Sequence, residues 1–140
     1  MKKVTLSLLF VILTNVLISQ VITVSIDTLR YFEHSSSIST PEAYKTGEIS
    51  LLKVYKLLDK KVITFDLNKK IQFFEGTEFP ITVIHKTDNI LDIEVFDNGA
   101  RKLVFLGKNK DGSITYLEEY FQDGKTKGFF SINPQIIKGS

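Results

Sequence analysis

The chain has 140 residues, 43% of them hydrophobic and 24% charged, the make-up of one globular domain rather than of a disordered or fibrous protein. It has no cysteine, which excludes disulfides, thiolate metal sites, cysteine nucleophiles and a lipid-modified cysteine. Lys2 and Lys3 account for the formal net charge of +2; from Gln20 onward 16 basic residues balance 16 acidic ones, so that part has no electrostatic footprint for nucleic acid or an anionic membrane.

Met1-Lys2-Lys3 is a short basic start, Val4 to Ile18 carries no charge, and Ser19-Gln20 closes the apolar run. This three-part layout predicts a secretory signal peptide over residues 1–19, cleaved after Ser19 or, alternatively, after Ser25. An uncleaved anchor competes, because Val4 to Ile26 is uncharged and long enough to span a bilayer. Thr14, Asn15, Ser19, Gln20, Thr23 and Ser25 dilute that span, and no basic stop-transfer cluster follows. The expectation is an exported protein, periplasmic or extracellular, touching the membrane only through the N-terminal segment if that stays uncleaved. The lack of cysteine and of any Asn-x-Ser/Thr sequon fits a bacterial exported protein.

Ile22, Val24 and Ile26 alternate with Thr23, Ser25 and Asp27, a strand pattern. Leu29, Tyr31 and Phe32 continue it with a change of face, as a bulge would give. His34-Ser35-Ser36-Ser37 breaks the pattern. Thr40-Pro41-Glu42-Ala43 reads as a helix start with Thr40 as cap and proline in the first turn, and Gly47 limits it to one turn. Residues 20–48 are therefore an N-terminal strand and loop, forming one domain with residues 49–140.

From Ile49 strands are expected near 49–58, 62–67, 70–75, 79–87, 90–97, 100–107, 113–121 and 127–132. Breaks at 59–61, 68–69, 75–78, 87–89, 98–99, 109–112 and 123–124 each carry the Gly, Asn or Asp of a turn. Leu51, Leu52, Tyr55 and Leu58 would also suit a short helix over 49–58. The organising unit is Ile90 to Gly107, ILDIEVFDNGARKLVFLG, where two β-rich runs flank Asn98-Gly99, the dipeptide best suited to a tight hairpin.

Short connections between consecutive strands imply antiparallel pairing. The fold class is all-β: an up-and-down meander of about eight strands forming a small barrel or half-barrel. Ile63, Phe65, Leu67, Ile81, Val83, His85, Leu91, Ile93, Val95, Leu103, Phe105, Ile114, Tyr116, Phe130 and Ile132 are expected to face inward. Leu103 to Leu106 and Phe129-Phe130 are apolar on both faces, so something, the Tyr31-Phe32 region or a partner, is expected over their outer side. The architecture is lipocalin-like at fold level only. The Gly-x-Trp mark of true lipocalins is missing, since the chain has no Trp.

Phe96 to Phe105 and Phe121 to Phe130 share the pattern F-x-[ND]-G-x-x-K-x-x-F at an offset of 25 residues. The stretch YFQDGKTKG resembles the aromatic-x-[ND]-G-K unit of bacterial MORN-type repeats. Arrays of that kind need three or more units to bury a core, so the two copies read as two hairpins, with Phe65 to Phe73 a degraded echo built around Asn68. Residues 107–118 resemble a calcium-binding EF-hand loop through Asn109, Asp111, Gly112, Ile114 and Glu118. Gly107 stands where that family needs Asp, and the flanks read as strands. No metal site is expected; Asn109, Asp111 and Glu118 form the alternative ligand set.

The two histidines lack zinc-site spacing, and no nucleophile-elbow sequence accompanies His34. Asp92 with Glu94, and Glu118 with Glu119, could serve acid–base hydrolysis but also suit a wet sheet face. Phe73, Phe74, Phe79, Tyr116, Tyr120, Phe129 and Phe130 could line a cavity or fill a core. No cofactor motif is found. The function expected is a non-enzymatic binding or interaction module whose partner is a protein or a small apolar ligand. An apolar-ligand carrier is the alternative and a carboxylate hydrolase the third reading. His85, Tyr116, Tyr120 and Phe105 are the candidate ligand contacts.

Overall fold

The computed structural model describes residues 21–138; the expected signal peptide, residues 1–19, lies outside them. Nine strands are found in one sheet: β1 Val21–Ser35, β2 Ser50–Asp66, β3 Ile71–Phe74, β4 Thr77–Lys86, β5 Ile90–Asp97, β6 Ala100–Lys108, β7 Ile114–Gln122, β8 Lys125–Ile132 and β9 Gln135–Lys138. Every neighbouring pair is antiparallel, and β8 pairs back onto β1, which also pairs with β2, closing an eight-stranded barrel with β9 as an extra strand. A helix, α1 Thr40–Thr46, lies in the connection from β1 to β2.

Three hairpins close through two-residue turns in which both residues have positive φ: Glu75-Gly76, Asn98-Gly99 and Asp123-Gly124. That twist matches the twist of the paired strands. The Asn98-Gly99 and Asp123-Gly124 hairpins fall where the repeated pattern places them. The expected third echo at Asn68 is instead a longer turn, in which Asp66 Oδ1 accepts the Lys69 amide at 3.0 Å. The break expected at 59–61 does not exist: the runs 49–58 and 62–67 are one 17-residue strand, and the helical alternative for the first run falls away. β1 carries the expected bulge, between Ile26 and Thr28, and a second between Tyr31 and Phe32. β9 prolongs the line of β8 along β1, in the same register, after a break at Asn133-Pro134. Asn133 has positive φ, and proline has no amide to offer the ladder.

The core is the barrel interior. Ile22, Val24, Ile26, Leu29, Ile63, Phe65, Leu67, Ile81, Leu91, Ile93, Val95, Val104, Leu106, Tyr116 and Phe129 form one buried cluster. Several inward assignments are corrected. On β6 and β8 the side chains facing the core are Val104, Leu106 and Phe129, so Leu103, Phe105, Phe130 and Ile132 point outward. On β4 a bulge between Ile81 and Val83 changes the face: Ile84, paired with Ile93, packs on the core, and His85, paired with Asp92, is exposed. A one-residue slip moves every following side chain to the other face.

What covers the outer apolar face is α1. The helix runs nearly two turns, longer than expected, because its cap is Ser39, whose side chain accepts the Glu42 amide, and it ends at Gly47 in the left-handed region. Thr40, freed from capping, donates to Glu119 Oε2 on β7. Thr40 Oγ1 and His34 Nε2 share a hydrogen bond of 2.7 Å, while His34 Nδ1 donates to the Ser35 carbonyl at 2.7 Å. Beneath this clasp Phe32 stacks on His34 and meets Phe130, Tyr44 packs edge-on against Phe130, and Ala43 is fully buried. Phe32 and Ala43 lie outside the interior cluster, so the protein has a second, smaller core between helix and barrel wall.

Candidate functional site

The barrel interior is filled at one end and open at the other. The filled end holds Ile22, Val24, Phe65, Leu91 and Leu106, all almost wholly buried. Toward the ends of β7 and β5 the interior widens into a cavity of about 370 Å³. Its apolar wall is Tyr31 from β1, Phe74 and Phe79 from the β3–β4 hairpin, and Phe129 from β8. Strand register explains the convergence. Gln72 and Phe74 pair with Phe65 and Ile63, both core residues, so the two face inward with them. Lys61 pairs with Ile26 and Lys102 with Val95 by the same logic.

Charged and polar side chains mix with these rings, among them Lys61, Gln72, Asp97, Lys102, Glu118 and Lys127. Lys102 Nζ lies 3.3 Å from Glu118 Oε1 and 4.0 Å from Asp97 Oδ2, and sits over the Phe79 ring. Tyr116 donates its hydroxyl to Glu118 Oε1 at 3.0 Å. Burial, with the Glu118 charge beside it, pushes the Tyr116 phenol well above its usual range, which keeps it a neutral donor. Burial, with Tyr55 and Glu118 nearby, also raises the Tyr31 phenol. Lys61 Nζ lies 4.5 Å from the Phe74 ring and 4.8 Å from the Phe129 ring. Gln72 is 1% exposed, and its Oε1 has no hydrogen-bond partner. An orphaned buried amide oxygen costs about 1–3 kcal/mol; a donor from water or from a bound molecule would relieve it.

A second hollow of about 600 Å³ lies outside the barrel, between α1 and the outer faces of β6, β7 and β8. Tyr44, Leu103, Phe105, Leu117, Phe130 and Ile132 line it, with Asp92, Asn109 and Glu119 at its margin. It is the larger of the two, and Thr40 and Thr115 also line it. Thr40 and Glu119, which line it, already satisfy one another through the clasp.

The four candidate contacts are thus dispersed. Tyr120 lies at the mouth of the interior cavity, Phe105 on the outer hollow, Tyr116 in the core as a donor to Glu118, and His85 on the exposed face of β4. The calcium alternative does not assemble. Asp111 accepts the Ser113 amide and hydroxyl in an exposed loop and Asn109 donates to Ser113 and Thr115, whereas Glu118 points into the barrel. Glu118 and Glu119 are on opposite faces of β7, one in the cavity and one under α1. Of the aromatic set, Phe74, Phe79, Tyr120 and Phe129 reach the cavity, while Phe73 is exposed.

Sequence reasoning missed Gln72, Lys61 and Lys102. The signal for Lys61 was present: it shares parity with Ile63 and Phe65, but a turn was read in its place. Gln72 shares parity with Phe74 in a strand of four residues, too short for alternation to show. Comparison with protein families, with curated proteins and with solved structures finds no match, so the site is read from its own geometry.

Proposed function

We propose that this is an exported, non-enzymatic binding protein that holds a small, partly apolar molecule in the open end of its barrel. The observation that carries the reading is Gln72 Oε1, buried and unpartnered beside a cavity with aromatic walls. A cavity that sets aromatic walls against placed polar groups suits a small molecule. The ligand supplies an N–H or O–H to Gln72 and packs its body between Phe74, Phe79 and Phe129.

N-phenyl-1-naphthylamine, a neutral aromatic amine that fluoresces in apolar surroundings, tests this directly. It should titrate to one saturable site, and Gln72→Leu should weaken it roughly five- to tenfold, the worth of one hydrogen bond of about 1–1.4 kcal/mol. Absence of a saturable site in the wild-type protein would contradict the reading. Export rests on Lys2-Lys3 and the uncharged run from Val4. Protein recovered outside the cytoplasm should begin near Gln20 or Ile26 on N-terminal sequencing, and full-length chain in the membrane fraction would sink that part.

One observation favours an interaction module as a second reading. Leu51, Leu52, Val54, Leu58 and Val62 of β2 are exposed. Among the described residues β2 pairs with β3 only from Ile63 to Asp66, leaving that edge of residues 50–62 without a neighbouring strand. With Lys53, Lys56 and Lys60 exposed against Asp59, it fits an extended acidic segment added as a strand. Binding of a poly-glutamate-flanked β-forming peptide that protects the β2 amides from exchange would support it, and unchanged exchange would exclude it.

A further inference from the structure

We infer that the molecule held in the barrel is an organic anion: an aromatic or apolar body carrying one acidic head that sits on Lys61. The inference rests on the cavity reading above and names the class of ligand for the same site.

It follows from charge pairing. Three lysines, Lys61, Lys102 and Lys127, line the cavity against three carboxylates, Asp97, Glu118 and Glu119. Lys102 is neutralised by Glu118 at 3.3 Å, with Asp97 at 4.0 Å. Lys127 pairs with Glu33 at 3.7 Å, and Lys125 holds the same carboxylate at 2.7 Å. Lys61 has no carboxylate within ion-pair distance among the described residues. Yet its ammonium is not turned out to solvent as a lysine in a surface strand would be; it is half-buried and centred between the Phe74 and Phe129 rings. Cation–π contact orients it but does not neutralise it. A small anion entering the cavity mouth would meet this ammonium, and its body would lie along the two rings.

The polarity of the remaining groups agrees. Glu118 is engaged by Lys102 and the Tyr116 hydroxyl, Glu119 by the Thr40 hydroxyl and Asp97 by Lys102 at 4.0 Å, so each carboxylate that lines the cavity already has a partner. Gln72 Oε1 accepts a donor from the ligand body. The site therefore asks for one acid and one donor on an apolar frame.

The test uses two probes that share a skeleton and differ in charge: N-phenyl-1-naphthylamine and its sulfonated counterpart, 1-anilinonaphthalene-8-sulfonate. Both are titrated by fluorescence into the full soluble protein and into Lys61→Met and Gln72→Leu, with near-ultraviolet circular dichroism to show that each variant is folded. The wild type should prefer the sulfonate by about tenfold or more. Lys61→Met should remove that preference, and raised salt should weaken only the sulfonate. Gln72→Leu should weaken both. If the two probes bind the wild type equally and Lys61→Met changes neither, the anion assignment is overturned while the cavity reading stands. If neither probe binds the wild type at one site, the cavity reading falls first and the anion assignment with it. Should Lys61→Met not fold, Lys61→Arg, which keeps the charge, must retain the sulfonate preference.

Discussion

Lys102 Nζ stands 3.3 Å from Glu118 Oε1 inside the barrel, each side chain largely withdrawn from water. Glu118 also accepts from Tyr116, so the carboxylate is held from two sides. Removing only the lysine leaves an uncompensated buried carboxylate. Lys102→Met should destabilise the protein by about 3–5 kcal/mol, the usual result of breaking a buried pair from one side. The double variant Lys102→Met with Glu118→Gln should recover most of that loss. Urea unfolding of the four proteins of this cycle measures both numbers. A Lys102→Met loss below about 1 kcal/mol, as for a surface pair, would show that Glu118 is solvated.

Two glycines support the strands on either side of that pair for different reasons. Gly99 is at φ +80° with open space around it, so Gly99→Val meets backbone strain rather than a clash, at about 1–3 kcal/mol. Gly128 has ordinary backbone angles, but a Cβ there would collide with the Glu118 carbonyl oxygen across the β7–β8 ladder. Gly128→Ala should therefore cost about 3 kcal/mol or more, although alanine is the smaller substituent. Asn89→Val, in a connection with no positive-φ residue, is the control. Equal losses at Gly99 and Asn89 would mean that the Asn98-Gly99 turn is not under glycine demand.

The alkaline limb of stability should report Tyr116. Its folded-state pKa lies well above 10.0, burial being the chief cause. Its unfolded value is about 10. As pH rises past the unfolded value, the unfolded chain releases a proton that the native state keeps, so stability is full below that point and falls above it. Ultraviolet titration of the five tyrosines should show Tyr116 silent until the protein unfolds. Tyr116→Phe should flatten this pH dependence and leave Glu118 with Lys102 alone. A Tyr116 that titrates normally in the folded protein would place it in contact with water.

The hairpins were legible in the sequence because turn chemistry is local. Asn98-Gly99 and Asp123-Gly124 each carry the positive-φ residue that their strands demand, and the strand pairs follow from them. The barrel followed in turn, since short connections permit only antiparallel neighbours. What stayed hidden was facing. His85 lost its inward position to a single extra residue between Ile81 and Val83, and a bulge leaves no mark when Thr82 and Val83 are both good strand formers. Leu103 and Phe105 were indistinguishable from Val104 and Leu106, because α1 makes the outer face apolar as well. The site stayed hidden because its polar residues sit at core parity: Lys61 in a run of charge that looked like a turn, Gln72 in a four-residue strand.

The proposed ligand space is the interior cavity walled by Phe74 and Phe129, not the hollow under α1. The measurement is a set of intermolecular nuclear Overhauser contacts between 1-anilinonaphthalene-8-sulfonate and the isotope-labelled protein at saturation. The account predicts contacts from the probe rings to Tyr31, Phe74 and Phe129, with the Gln72 side-chain amide shifted. Contacts to Tyr44, Phe105 and Leu117, with Gln72 unmoved, would contradict it and put the binding site on the outer wall.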